Sequence, residues 1–171
     1  GRIYAAEYEV KLALGIDPAN SFLFLVSAQI HFNKGQFKMA LESCQQALVF
    51  DPDSWQAHYL ESRIYRLQGK SSESLSSIQA AATLSPNSVD TLVAFGEYFY
   101  DTGNKTKALE YAKEALAINA GSSSANLLMG VVLLSLNHVQ EAEYHAKFVI
   151  LQDPNSNEAL KLFANIKMRK N

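Results

Sequence analysis

Apolar residues along this chain recur three and four positions apart, the spacing of one helix face rather than the alternation of a strand. In KTKALEYAKEALAI (105 to 118) they are Leu109, Ala112, Ala115 and Leu116. Such stretches run for roughly 14 residues and then stop at punctuating residues, and the punctuation is periodic. Gly35, Gly69 and Gly103 follow one another at steps of 34, and Asn137 takes the next step. Pro18, Pro52 and Pro86 keep the same interval, with Ala120 in phase before Pro154. Small residues repeat it too: Ala28, Ser62, Gly96 and Gly130 in one column, Ala6, Ala40, Ser74, Ala108 and Ala142 in a second. A third column holds Ala13, Ala47, Ala81, Ala115 and Val149.

Each column has a physical reason. Glycine, or asparagine in its place, fits the left-handed conformation that closes a helix. Proline then prevents the second helix from continuing, and Asp17, Asp51, Ser85 and Asp153 before it suit turns. The small columns let two helices approach closely where their ridges cross. The pattern therefore predicts an all-α chain of helix pairs without insertion or deletion. Full units run 21–54, 55–88, 89–122 and 123–156; 1–20 is the second half of a preceding unit, and 157–171 is a further first helix or a capping helix. Gly1 opens the glycine column. With no Gly-, Ser- or Pro-rich linker, 1–171 is expected to form a single array.

This period and these columns resemble the tetratricopeptide repeat family, across the entire chain. Departures are local: His58 and Asn126 stand where the family has a bulky residue, Ser27 and Glu61 where it has leucine, and Ala120 where it has proline. The resemblance implies antiparallel helix pairs stacked into a right-handed superhelical solenoid. The first helix of each pair would line a concave groove, and the second would cover the convex face. The groove-facing positions it implies are Phe22, Leu25, Gln29 and Phe32 in the first full unit, and Tyr59, Arg63 and Arg66 in the second. Val93, Glu97 and Tyr100 follow in the third, Leu127, Val131 and Leu134 in the fourth. Glu158, Lys161, Asn165, Met168 and Arg169 occupy the same places on the closing helix.

Half of that surface is apolar, with aromatic residues and a band of both charges, as a channel for a peptide or helix requires. The expected function is a non-catalytic scaffold for protein–protein interaction. The alternative is a substrate-recruiting or regulatory segment of a larger enzyme or membrane protein. Arg63 and Arg66, with Glu97 and Asp101 one unit later, read either as a two-signed platform for a charged ligand or as ion pairs between repeats. The lysine and asparagine set with which some family members grip a chaperone's C-terminal carboxylate is not supplied by Leu25, Gln29, Leu60, Asp90 and Ala94. The helix SANLLMGVVLLSL (124 to 136) is apolar almost all round, so either neighbouring helices cover it or a partner does.

Composition changes little in this picture. The 171 residues are 48% hydrophobic and 19% charged, with a net charge of -2. No basic stripe offers the footprint that nucleic acid needs. No apolar run approaches the roughly 20 residues of a membrane span, and the start has no signal-peptide core. The compartment stays open, with a lean to the cytoplasm. His31 and His58 fall in packing columns and Cys44 in the aromatic packing column, which favours core roles over ligation or nucleophilic chemistry. No residue pattern calls for a cofactor or a metal. The incomplete units at the two ends suggest that one copy's closing helix and another's opening helix would complete a unit, so head-to-tail self-association is expected at high concentration.

Overall fold

The computed structural model describes residues 2–170. Gly1, and with it the first position of the glycine column, lies outside the described residues. Ten α-helices and no strand make up the described chain: α1 (Arg2–Ile16), α2 (Ser21–Asn33), α3 (Phe37–Phe50), α4 (Trp55–Leu67), α5 (Ser71–Leu84), α6 (Val89–Asp101), α7 (Lys105–Ile118), α8 (Ser123–Ser135), α9 (Val139–Gln152) and α10 (Asn157–Lys170). First helices of 13 residues alternate with second helices of 14 from α2 to α9.

Backbone chemistry explains where the helices stop. Gly35 has φ +71° and Asn137 φ +66°, so both occupy the left-handed region at the end of a first helix. Around Gly35 the amide of Gln36 donates to the carbonyl of His31, and that of Gly35 to Phe32. Around Asn137 the pattern repeats, from His138 to Leu133 and from Asn137 to Leu134. These paired bonds satisfy carbonyls that the helix end would leave open. At the ends of second helices, Asp51 and Asp153 accept from the amides of Asp53 and Asn155 at 3.3 and 3.0 Å, which folds the chain around each proline. Where Ala120 replaces proline, Asn119 accepts from Gly121 in the same way at 2.9 Å.

The chain forms two compact units, one ending at Pro86 and the other beginning at Asn87. In the first, α2 packs on α3 and α4 on α5, and the first helices α2 and α4 also touch; the second helices α3 and α5 do not. In the second, α6, α8 and α10 touch in succession while α7 and α9 do not. First helices thus form the inner side of each unit, and second helices the outer. The small columns lie at the crossings: Ala28, Ala40, Ala108 and Ala142 have no exposed surface. Ser74 keeps its crossing close by donating from its hydroxyl to the Ser62 carbonyl at 3.0 Å.

The helix α8 lies at the centre of the second unit, touched by α6, α7, α9 and α10. Its apolar circumference is therefore covered by the chain itself, and only Leu127, Val131 and the ends of the helix reach partial exposure. Among the described residues no helix is long and apolar enough to cross a membrane.

Candidate functional site

In the second unit the inner faces of α6, α8 and α10 enclose an open cleft of about 510 Å³. Tyr100 comes from α6, Val131, Leu134 and Ser135 from α8, and Glu158, Lys161, Leu162, Asn165, Met168 and Arg169 from α10. Three successive helices place equivalent residues here because each starts at the same phase of the repeat. The floor is apolar (Val131, Leu134, Met168) and the α10 wall carries both charges. Among the described residues the side chains of Glu158, Lys161 and Asn165 make no hydrogen bond or ion pair with the rest of the chain. Arg169 donates to the Leu134 carbonyl at the end of α8, and Lys105 to the Ser135 carbonyl at 3.0 Å. Cations there offset the negative end of the helix and fix the cleft's rim.

The inner face of the first unit is built from α2 and α4. Phe22 is 67% exposed on the first turn of α2, Leu25 and Phe32 are half-buried, and Gln29 donates to Asn33 at 2.9 Å. On α4 the Arg63 guanidinium lies 4.7 Å from the centre of the Phe32 ring and 5.6 Å from that of Tyr59. Tyr59 in turn leans on Trp55, with ring centres 6.5 Å apart. Arg66 follows one turn later, half-buried.

The remaining groove positions are distributed unevenly. Glu97, Tyr100, Leu127 and Val131 are half-buried on the second unit's inner helices. Val93, at 3% exposure, belongs to the core of that unit, and Leu134, at 7%, presents only an edge to the cleft.

The other chemistry-bearing residues have structural partners. His31 is buried, with Nδ1 at 2.9 Å from Gln36 Oε1. His58 Nδ1 lies 3.4 Å from the carboxylate of Glu61, whose buried carboxyl is pushed above its ordinary pKa by desolvation and partly drawn back by His58. Burial pushes the Cys44 thiol up to about 12, with Glu61 adding to the effect, so the thiolate is scarce at neutral pH. Among the described residues no three His, Cys, Asp or Glu side chains group as metal ligands do.

Two polar clusters escaped the sequence reading. Asn126, 3% exposed, donates from Nδ2 to the carbonyls of Ala120 and Ser122 at 3.0 and 2.8 Å, and its Oδ1 meets His145 Nδ1 at 2.8 Å. It clamps the one inter-pair turn that has lost its proline. Glu143 on α9 gathers Lys170, Lys147 and Lys167, the latter two at 3.0 and 3.4 Å. The Lys170 bond, then that of Lys147, holds the Glu143 carboxyl at about 2.

A tetratricopeptide-repeat family model matches residues 25–89. Among solved structures the chain is similar to a thermophilic tetratricopeptide-repeat protein of Thermus thermophilus, at 20% identity over 98% of this chain and 92% of that one, with a TM-score of 0.83. It is also similar to pilF of Pseudomonas aeruginosa, at 19% identity over 99% and 77% of the two chains, with a TM-score of 0.74. A third is YrrB, described as a tetratricopeptide-repeat protein with an unusual peptide-binding site, at 19% identity over 94% and 83%, with a TM-score of 0.62. No curated protein sequence matches the chain. At these identities the structural likeness establishes the fold.

Proposed function

We propose, from the tetratricopeptide-repeat match over residues 25–89 and the fold shared with solved tetratricopeptide-repeat proteins, that the chain is a non-catalytic scaffold that holds a segment of a partner protein against the inner faces of its first helices. The observation that carries this reading is the cleft between α6, α8 and α10. Its roughly 510 Å³ would accept a few side chains of an extended peptide, and its lining comes from equivalent places on three helices. Apolar residues at its floor supply anchoring area, and Glu158, Lys161 and Asn165 supply polar groups that the fold itself leaves unused. YrrB, with the same fold, is a peptide-binding protein by its description.

Affinity capture from the native cell with wild type, Met168→Glu and Tyr144→Glu tests the proposal. Met168 is 69% exposed at the cleft, and Tyr144 is 65% exposed on the outer helix α9, so both changes fall at the surface, and circular dichroism of each variant checks that the fold is kept. A partner retained by wild type and Tyr144→Glu but lost by Met168→Glu supports the cleft. A partner lost only with Tyr144→Glu would move the binding surface to the outer side and refute it.

A further inference from the structure

The inner face of the first unit carries a cation that the fold positions but does not neutralise. Arg63 is half-buried, with its guanidinium 4.7 and 5.6 Å from the ring centres of Phe32 and Tyr59. Among the described residues it makes no ion pair or hydrogen bond. The neighbouring Arg66, by contrast, is already engaged. No acidic residue occurs on α2, and the one on α4, Glu61, is buried against His58. The ring contacts engage the charge of the guanidinium and use none of its N–H donors in a hydrogen bond, and those donors match a carboxylate in bidentate fashion. Being held between the two rings in advance also lowers the ordering cost that a long side chain would otherwise pay on binding. The rings that hold it, Phe32 and Tyr59, are half-buried, and Leu25, half-buried two turns before Phe32 on α2, adds apolar surface on the same face.

We propose that Arg63 is the receptor for an acidic side chain of the bound segment, with an adjacent apolar residue of that segment seated on Tyr59 and Leu25. The occupant is thus a peptide with an aspartate or glutamate next to a large apolar residue, chosen by the Arg63 guanidinium, which, among the described residues, no carboxylate of this unit pairs. The inference rests on the scaffold reading and assigns part of its specificity to the first unit.

The test uses the full chain and three probes: the capped tripeptides Leu-Asp-Leu and Leu-Asn-Leu, and a single-stranded oligouridylate. The Arg63 Nε–H signal is assigned by its loss in Arg63→Lys and followed by NMR titration. The aspartate peptide is expected to move that signal and those of Tyr59 and Leu25 saturably, about tenfold more tightly than the asparagine peptide, the difference a charge-assisted pair makes. Arg63→Lys keeps the charge without the planar fork, and Arg63→Gln removes the charge. Both are expected to reduce this preference while leaving the far-ultraviolet circular dichroism unchanged. Equal binding of the two peptides overturns the inference but leaves the scaffold reading standing. Shifts confined to the α8–α10 cleft do the same. Stronger, steeply salt-dependent binding of the oligouridylate overturns it in favour of nucleic acid.

Discussion

Replacing Gly130 by alanine should destabilise the protein through one identifiable contact, and removing that contact should reverse the sign. A Cβ at Gly130 would lie 2.7 Å from Leu162 Cδ2, and 3.5 Å from both the Ala142 carbonyl oxygen and His145 Cβ. The last two separations are ordinary. The first is about 1 Å short of a comfortable carbon–carbon distance. Leu162 is 4% exposed, so it must move within a closely packed core. Overpacking of this kind costs about 1–3 kcal/mol. Against it stands the gain of about 1 kcal/mol when alanine replaces glycine inside a helix. The net loss should be about 0–2 kcal/mol. In a Leu162→Ala background, itself weakened by about 2–5 kcal/mol, the obstacle is gone and only the helix-forming gain remains. There Gly130→Ala should stabilise by about 1 kcal/mol, giving a coupling of about 1–3 kcal/mol. Urea denaturation of the four proteins reads this cycle, and amide exchange within α8 supplies a local value because repeat arrays need not unfold in one step. If Gly130→Ala changes stability equally in both backgrounds, to within about 0.5 kcal/mol, the small residue is not there for the crossing.

Asn126→Ala removes two donors and one acceptor from a buried turn, and should cost about 2–4 kcal/mol by thermal or urea denaturation, with the exchange of the 119–122 amides accelerated first. Retention of wild-type exchange in that turn would refute the clamp. Glu143 has a folded pKa of about 2 against an ordinary 4.5, so its contribution is fully present above pH 4.5 and fades as pH falls towards 2. Glu143→Gln should therefore be less stable than wild type at neutral pH, with urea midpoints converging across that window; parallel curves would contradict the three-lysine cluster.

The architecture was legible because the columns that carry it are backbone requirements. A left-handed residue after each first helix, a turn-former after each second and a small residue at each crossing leave little choice of side chain, so Gly35, Asn137 and Gly130 announce themselves in the sequence. The inner face is different. There the repeat fixes only which positions point inward, and the chemistry at each is free to vary. Val93 shows the limit: it has the phase of a groove residue and the burial of a core residue, because the amount of covering chain is a property of neighbours that periodicity does not encode.

The fourth unit shows how departures from a repeat become intelligible only in combination. Ala120 and Asn126 each look like the loss of a consensus residue, one a helix stop and the other a bulky packing group. They lie six residues apart, and the second donates to the carbonyl of the first. A proline would restrict the turn through its ring; here a buried amide restricts it through hydrogen bonds, and His145 on the following helix holds that amide in place. Burial lowers the His145 pKa from its ordinary 6.5, partly opposed by Glu141, so the clamp works with a neutral imidazole whose Nδ1–H donates to Asn126. Protonation is more favourable in the unfolded chain, and this part of the stability is therefore drawn down as pH falls below 6.5. Two departures from the repeat are thus one device, and a third residue, His145, is part of it although no repeat column marks it.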